Sequence, residues 1–184
     1  RVVLDLAGKH AIDCEAMPVG TLHCAVGTSG LDELKQRAGQ WSRRGAPVRL
    51  LDAAETAAKV GTDAYAGSLL DLRAGTIQPL AYVRGLARAA IEAGAQVFTS
   101  SPVTGAERNG ARWTVRTARG AVTADWVVVA TNAYTAAPWH EVRAELVHLP
   151  YFNFATAPLA PEMQKAILPE RQGAYSVTAN LLQG

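Results

Sequence analysis

Residues 77–135 read IQPLAYVRGLARAAIEAGAQVFTSSPVTGAERNGARWTVRTARGAVTADWVVVATNAYT, and the fold class follows from how this stretch is punctuated. Pro79 suits the first position of a helix, where its missing N–H costs nothing. The segment Leu80 to Ala93 then carries helical periodicity and is stopped by Gly94. Its apolar stripe, Leu80, Val83, Leu86/Ala87 and Ala90/Ile91, is expected to face inward, with Gly85 and the alanines permitting close approach to a sheet. Gln96-Val97-Phe98-Thr99 follows as a short strand. Val103 to Arg108, Arg112 to Thr117 and Ala121 to Asp125 alternate apolar with polar side chains. Their links, Asn109-Gly110-Ala111 and Ala118-Arg119-Gly120, are hairpin-length, so the three runs form an antiparallel meander. Trp126-Val127-Val128-Val129-Ala130 has no polar alternation and reads as a strand covered on both faces, ending in the small polar pair Thr131-Asn132.

Outward from this unit, the flanks alternate helix and strand. Val2 to Ala7 reads as the tail of a helix ending near Gly8, and Thr21 to Val26 as a strand ended by Gly27. His23 falls in that strand's alternation and is expected to be satisfied or solvent-facing rather than part of a site. Ser29 is a suitable N-cap for a helix over Leu31 to Arg44, with Leu31, Leu34, Ala38 and Trp41 on one face. Val48 to Leu51 is a strand, and Asp52-Ala53-Ala54-Glu55 matches a capping box for a helix ending near Gly61. Tyr65 to Leu72 is strand-like. Beyond Thr135, strands are expected over Val142–Val147, Tyr151–Ala157 and Tyr175–Asn180, with a helical turn at Pro161–Ile167. The fold class is therefore α/β, shading to α+β, with a mixed sheet.

Composition sets the outer limits. In 184 residues there are 49% hydrophobic and 18% charged residues, an ordinary globular balance. A net charge of +2, with basic residues scattered, argues for neither nucleic acid nor an anionic membrane as a partner. No apolar run approaches the roughly 20 residues of a membrane span. Cys14 and Cys24 fit neither a disulfide framework nor a zinc site, so no metal is expected, and reduced thiols favour a cytoplasmic protein. Motifs for zinc hydrolysis, dithiol exchange, acyl transfer and phosphate loops are missing, as is Gly-x-Gly-x-x-Gly.

The order of the pieces, together with Tyr65-Ala66-Gly67-Ser68-Leu69-Leu70-Asp71, Ala74-Gly75-Thr76-Ile77-Gln78-Pro79, Gly85-Leu86-Ala87-Arg88-Ala89-Ala90, Gly94-Ala95, Pro102-Val103-Thr104, Val127 to Tyr134 and Phe154-Ala155-Thr156-Ala157-Pro158-Leu159, resembles the FAD-dependent amine and amino-acid oxidoreductases of the glycine oxidase/D-amino-acid oxidase superfamily. The γ-glutamylputrescine oxidoreductase-like branch fits best. The resemblance implies that residues 1–18 and 77–140 are part of an FAD-binding domain. Residues 19–76 and 141–184 would then be part of a substrate-binding domain. It further implies that Val103 touches the adenine end of FAD through its backbone, and that Ala130, Thr131 and Asn132 lie near the phosphates and ribityl chain. Tyr65, His148, Tyr151 and Asn153 are the substrate-lining candidates, with Phe152 and Phe154 on the same expected strand; no catalytic residue is assigned. The implied chemistry is hydride transfer to FAD from the carbon bearing the amine of a small-molecule amine or amino acid, giving an imine that hydrolyses.

The sequence departs from that family in three places. The glycine-rich loop that sets the pyrophosphate on a helix N-terminus, the acidic residue for the adenosine ribose and the glycine-rich segment under the flavin ring are all missing from these residues. The ends, Arg1-Val2-Val3-Leu4 and Leu181-Leu182-Gln183-Gly184, read as cuts through a longer protein. These residues alone are accordingly expected to hold FAD weakly or not at all. A self-contained, non-catalytic binding domain is the alternative, while an NAD-linked dehydrogenase is disfavoured by the three-stranded meander.

Overall fold

A computed structural model of the chain describes residues 2–147 and 149–177. Two compact units are present, Arg1–Ala95 with Thr156–Gly184, and Gln96–Ala155.

The first unit is built on a four-stranded mixed sheet. Its strands are β1 (Thr21–Ala25), β2 (Val48–Leu51), β3 (Gly67–Asp71) and β7 (Gly173–Val177), in the order β2-β3-β1-β7. β3 runs antiparallel to both β2 and β1, whereas β7 lies parallel to β1. Helices cover both faces. Helix α2 (Gly27–Ser42) lays Leu31, Leu34, Ala38 and Trp41 over Ala25, Leu69, Val177 and Val48, the stripe its spacing predicts. On the opposite face Leu22, Cys24, Leu51 and Leu70 pack with Val60 of α3 (Ala53–Val60), Tyr65 and Leu168. Covered twice, every residue of β3 is buried.

Local signals behave as their chemistry requires, with two exceptions. The Asp52 carboxylate accepts the Glu55 N–H at 2.8 Å and Glu55 accepts the Asp52 N–H at 3.1 Å, completing the capping box that starts α3. Helix α2 begins two residues before Ser29, however, with Val26 at the N-cap and no side-chain cap. The inward face of α4 (Pro79–Glu92) is also rotated from the expected stripe. Leu80, Val83 and Ile91 are more than half exposed, while Ala81, Tyr82, Gly85, Leu86 and Ala89 turn inward. Ala81, Tyr82 and Leu86 pack on Ala7, Ile12 and Cys14, beside α1 (Val2–Lys9). Gly85 sets this rotation, because a Cβ there would fall among the side-chain carbons of Ile12, 2.8 Å from Cγ1. The close approach is therefore to a loop side chain and not to a sheet. Gln78, unread in the sequence, caps the helix by accepting the Ala81 N–H at 2.6 Å.

In the second unit β4 (Val103–Asn109), β5 (Arg112–Thr117) and β6 (Gly120–Ala124) form the expected meander, with a register shift between Val103 and Gly105. Several expected strands are not formed. Gln96–Thr99 and Trp126–Ala130 are irregular, with Phe98 69% and Trp126 86% exposed. A buried parallel strand needs ladder partners, and among the described residues neither segment has one. Val142–Val147 is replaced by helix α5 (His140–Ala144), where Glu, Arg and Ala outvote a single valine. Tyr151–Ala157 is irregular and exposed, and has no ladder partner among the described residues. Helix α6 (Pro161–Ala166) forms as expected, in the first unit.

Candidate functional site

A connected group of polar side chains lies where β1, β3, β7 and α2 meet. Alternation along β1 turns His23 toward α2, on the same side as Ala25 and opposite to Leu22 and Cys24. Parallel register sets Tyr175 directly beside His23. One helical turn of α2 separates Arg37 from Trp41, so both reach the same spot. The end of β3 supplies Asp71 and, two residues on, Arg73.

His23 is only 5% exposed. The Tyr175 hydroxyl lies 2.5 Å from its Nδ1 and 3.0 Å from Nε2, and Arg37 Nη1 lies 3.1 Å from Nδ1. The other arm of the Arg37 guanidinium donates to Glu33. Trp41 presents its ring edge-on to the imidazole at 5.5 Å between centroids, and Arg73 stacks over the same indole at 4.7 Å. Arg73 in turn forks onto Asp71, donating from Nε at 2.9 Å and from Nη2 at 2.8 Å. Burial, reinforced by the Arg37 charge, pushes the His23 pKa below the ordinary imidazole value. The Arg73 hydrogen bonds hold the Asp71 carboxyl below its usual range. Burial raises the Tyr175 phenol and the Cys24 thiol. A neutral imidazole is thus held between a cation and a phenol, so of the two expected settings, satisfied or solvent-facing, His23 has the satisfied, buried one. The sequence offered one clue to Arg37: it lies between Leu34 and Trp41, at the edge of the apolar stripe of α2.

The residues expected to line a site are divided between the two units. Tyr65 sits in the first unit and pairs its hydroxyl with Ser176 Oγ at 3.2 Å. Val103, Ala130, Thr131, Asn132, Tyr151 and Asn153 belong to the second unit. His148 lies outside the described residues. Tyr151 and Asn153 are exposed, as are Phe152 and Phe154. Val103 is tied into the β4–β5 ladder opposite Thr117. Residues Asn132–Tyr134 make one 3₁₀ turn, entered by Asn132 in the left-handed region at φ +46°. The Thr135 hydroxyl donates to the Asn132 carbonyl at 2.6 Å, so the Thr131 hydroxyl must be the donor in its 2.7 Å bond to Thr135.

The fold has solved counterparts. Glycine oxidase from Geobacillus kaustophilus superposes with a TM-score of 0.64 at 23% identity, over 79% of this chain and 40% of that one. L-proline dehydrogenase from P. horikoshii gives 0.64 at 20% identity, over 72% and 37%. At the level of sequence, the FAD dependent oxidoreductase family, DAO, matches residues 1–180, and the chain belongs to that family. It is 37% identical over 135 residues to gamma-glutamylputrescine oxidoreductase of Escherichia coli strain K12, covering 73% of this chain and 31% of that protein. It is 33% identical over 126 residues to the probable oxidoreductase OrdL of Haemophilus influenzae, covering 66% of this chain and 29% of that one. The chain thus spans about 30% of the length of the curated relatives it matches.

Measured against FAD, the described residues do not by themselves make a cradle. The hydroxyl protons of Thr131 and Thr135 are both spent inside their own turn, leaving neither to donate to a phosphate or a ribityl hydroxyl. Trp126–Ala130, which should carry that turn at the end of a sheet, lacks a ladder.

Proposed function

We propose that this chain is part of a longer FAD-dependent oxidoreductase that oxidises the C–N bond of a small-molecule amine or amino acid, the electrons passing to the flavin and the imine product hydrolysing. The observation that carries this reading is the family match over residues 1–180, with gamma-glutamylputrescine oxidoreductase among the relatives. Residues 1–18 and 77–140 serve the FAD side in this reading, and residues 19–76 and 141–184 the substrate side. Val103 and Ala130 to Asn132 are assigned to the cofactor, and Tyr65, His148, Tyr151 and Asn153 to the substrate. The missing cradle favours completion by chain beyond these residues, since a cofactor of this size needs backbone donors from several loops. Two buried free thiols, Cys14 and Cys24, favour a cytoplasmic setting. Among the described residues no helix is long and apolar enough to cross a membrane.

A self-contained binding module is the second reading, supported by the packed two-faced core of the first unit. One experiment separates the two. The protein expressed from its complete coding sequence should purify with a visible flavin spectrum that bleaches anaerobically with one member of a panel of amines and amino acids. The 184 residues alone should purify colourless. A full-length product without flavin, or a flavin that no amine or amino acid reduces, would overturn the oxidoreductase reading.

A further inference from the structure

We propose that His23 is a pH-operated clasp that fastens α2 to β1, closed while the imidazole is neutral and opened by acid. The geometry assigns the protonation state. Arg37 can only donate, so Nδ1, 3.1 Å from Arg37 Nη1, must be an unprotonated acceptor. The remaining ring proton then sits on Nε2, and the Tyr175 oxygen, 2.5 Å from Nδ1 and 3.0 Å from Nε2, packs against the ring. The neutral Nε2 tautomer therefore joins β1 to α2 by accepting from Arg37. Adding a proton at Nδ1 removes the acceptor and sets two cations against each other in a place with little water.

The groups facing the ring from each packed element do not cancel that conflict. From α2 come Arg37, whose partner Glu33 is already engaged, and the neutral Trp41. From β7 comes the Tyr175 hydroxyl. From β3 and the turn after it come Asp71, which would favour an imidazolium, and Arg73, which opposes one and occupies the Asp71 carboxylate with a two-pronged hydrogen bond. Burial and Arg37 outweigh Asp71, and the neutral ring is favoured.

The sign is fixed by linkage. With the folded-state pKa below the free value of 6.5, the unfolded chain binds the proton more readily. The clasp's contribution is full above 6.5 and declines as pH falls beneath it, levelling off below the folded-state value. Each pH unit between the two values removes a roughly tenfold factor from the folded-to-unfolded ratio.

The test follows the His23 ring protons of the 184-residue chain by NMR, together with urea unfolding and amide exchange between about pH 7.5 and pH 5, above the range where carboxylates titrate. His23 should titrate below 6.5, and Arg37→Met should move its midpoint upward. The urea midpoint should fall with acid in the wild type and stay flat in His23→Gln. Exchange over Gly27–Ser42, corrected for intrinsic rates, should accelerate at the lower pH. A His23 midpoint at or above 6.5, a His23→Gln variant with the wild-type pH dependence, or α2 exchange that does not change would each overturn the proposal. If His23→Gln does not fold, the wild-type titration and exchange decide it.

Discussion

Replacing Gly61 by alanine probes the joint between α3 and the segment that follows α6. Gly61 caps α3 at φ +90°, and its N–H donates to the Ala57 carbonyl at 2.8 Å. An alanine there is strained by about 1–2 kcal/mol from its left-handed backbone alone. Its Cβ would also strike the carbonyl oxygen of Ala166 and sit 3.0 Å from that carbonyl carbon and 3.2 Å from Ile167 Cα. These are backbone atoms that no rotamer change can move, so a further overpacking cost of about 1–3 kcal/mol applies. The stiffer unfolded chain returns about 0.4–1 kcal/mol. The net loss is then about 2–4 kcal/mol, a sizeable share of the roughly 5–15 kcal/mol that holds a typical domain together. Gly94 supplies the control. It has φ +94°, yet a Cβ there meets nothing within 4 Å, so Gly94→Ala should cost only about 1 kcal/mol. Urea unfolding followed by circular dichroism measures both. Equal losses in the two variants would refute the claim that the α3 terminus is pinned against Ala166.

Two further substitutions probe the sheet. Thr56 and Ser68 are fully buried and share one hydroxyl hydrogen bond of 2.9 Å, so Thr56→Val should cost about 1–3 kcal/mol by stranding Ser68. Adding Ser68→Ala should then cost less than the sum of the single changes; strict additivity would disprove the pairing. Asp71 is held ionised by Arg73, so its contribution to stability is present above the ordinary 3.8 and lost as pH falls through the lower folded-state value. Arg73→Met should remove that contribution, and the two stability curves should converge in acid. A constant gap between them down to low pH would show that Arg73 acts by stacking on Trp41 alone.

What the sequence could disclose depended on how local the cause was. The capping box at Asp52 and Glu55, the meander turns at Asn109-Gly110 and Arg119-Gly120, and the α2 stripe from Leu31 to Trp41 each specify structure within a few residues, and each was legible. The α4 face was misread because apolar periodicity counts Leu80, Val83 and Ile91 as inward, whereas the contact is set by the absent side chain of Gly85 against Ile12. Trp126–Ala130 has the composition of a buried strand, but composition does not supply ladder partners. Around the candidate site, His23 was legible only as a satisfied or solvent-facing side chain. Its partner Tyr175 was not, because the two residues are 152 positions apart and only the β1–β7 register brings them together.

That separation has a consequence for how the chain is made. The strands β1, β2 and β3 lie within the first 71 residues and can pair soon after they leave the ribosome, but β7 begins only at Gly173. At typical elongation rates the outer edge of β1 waits roughly 5–20 s for its parallel neighbour. During that interval it offers unpaired backbone groups beside buried-type side chains such as Leu22 and Cys24, a template for any other extended segment. The nascent protein is thus most vulnerable to wrong pairing along the edge that β7 later seals, and a chaperone acting during synthesis would have most to protect there.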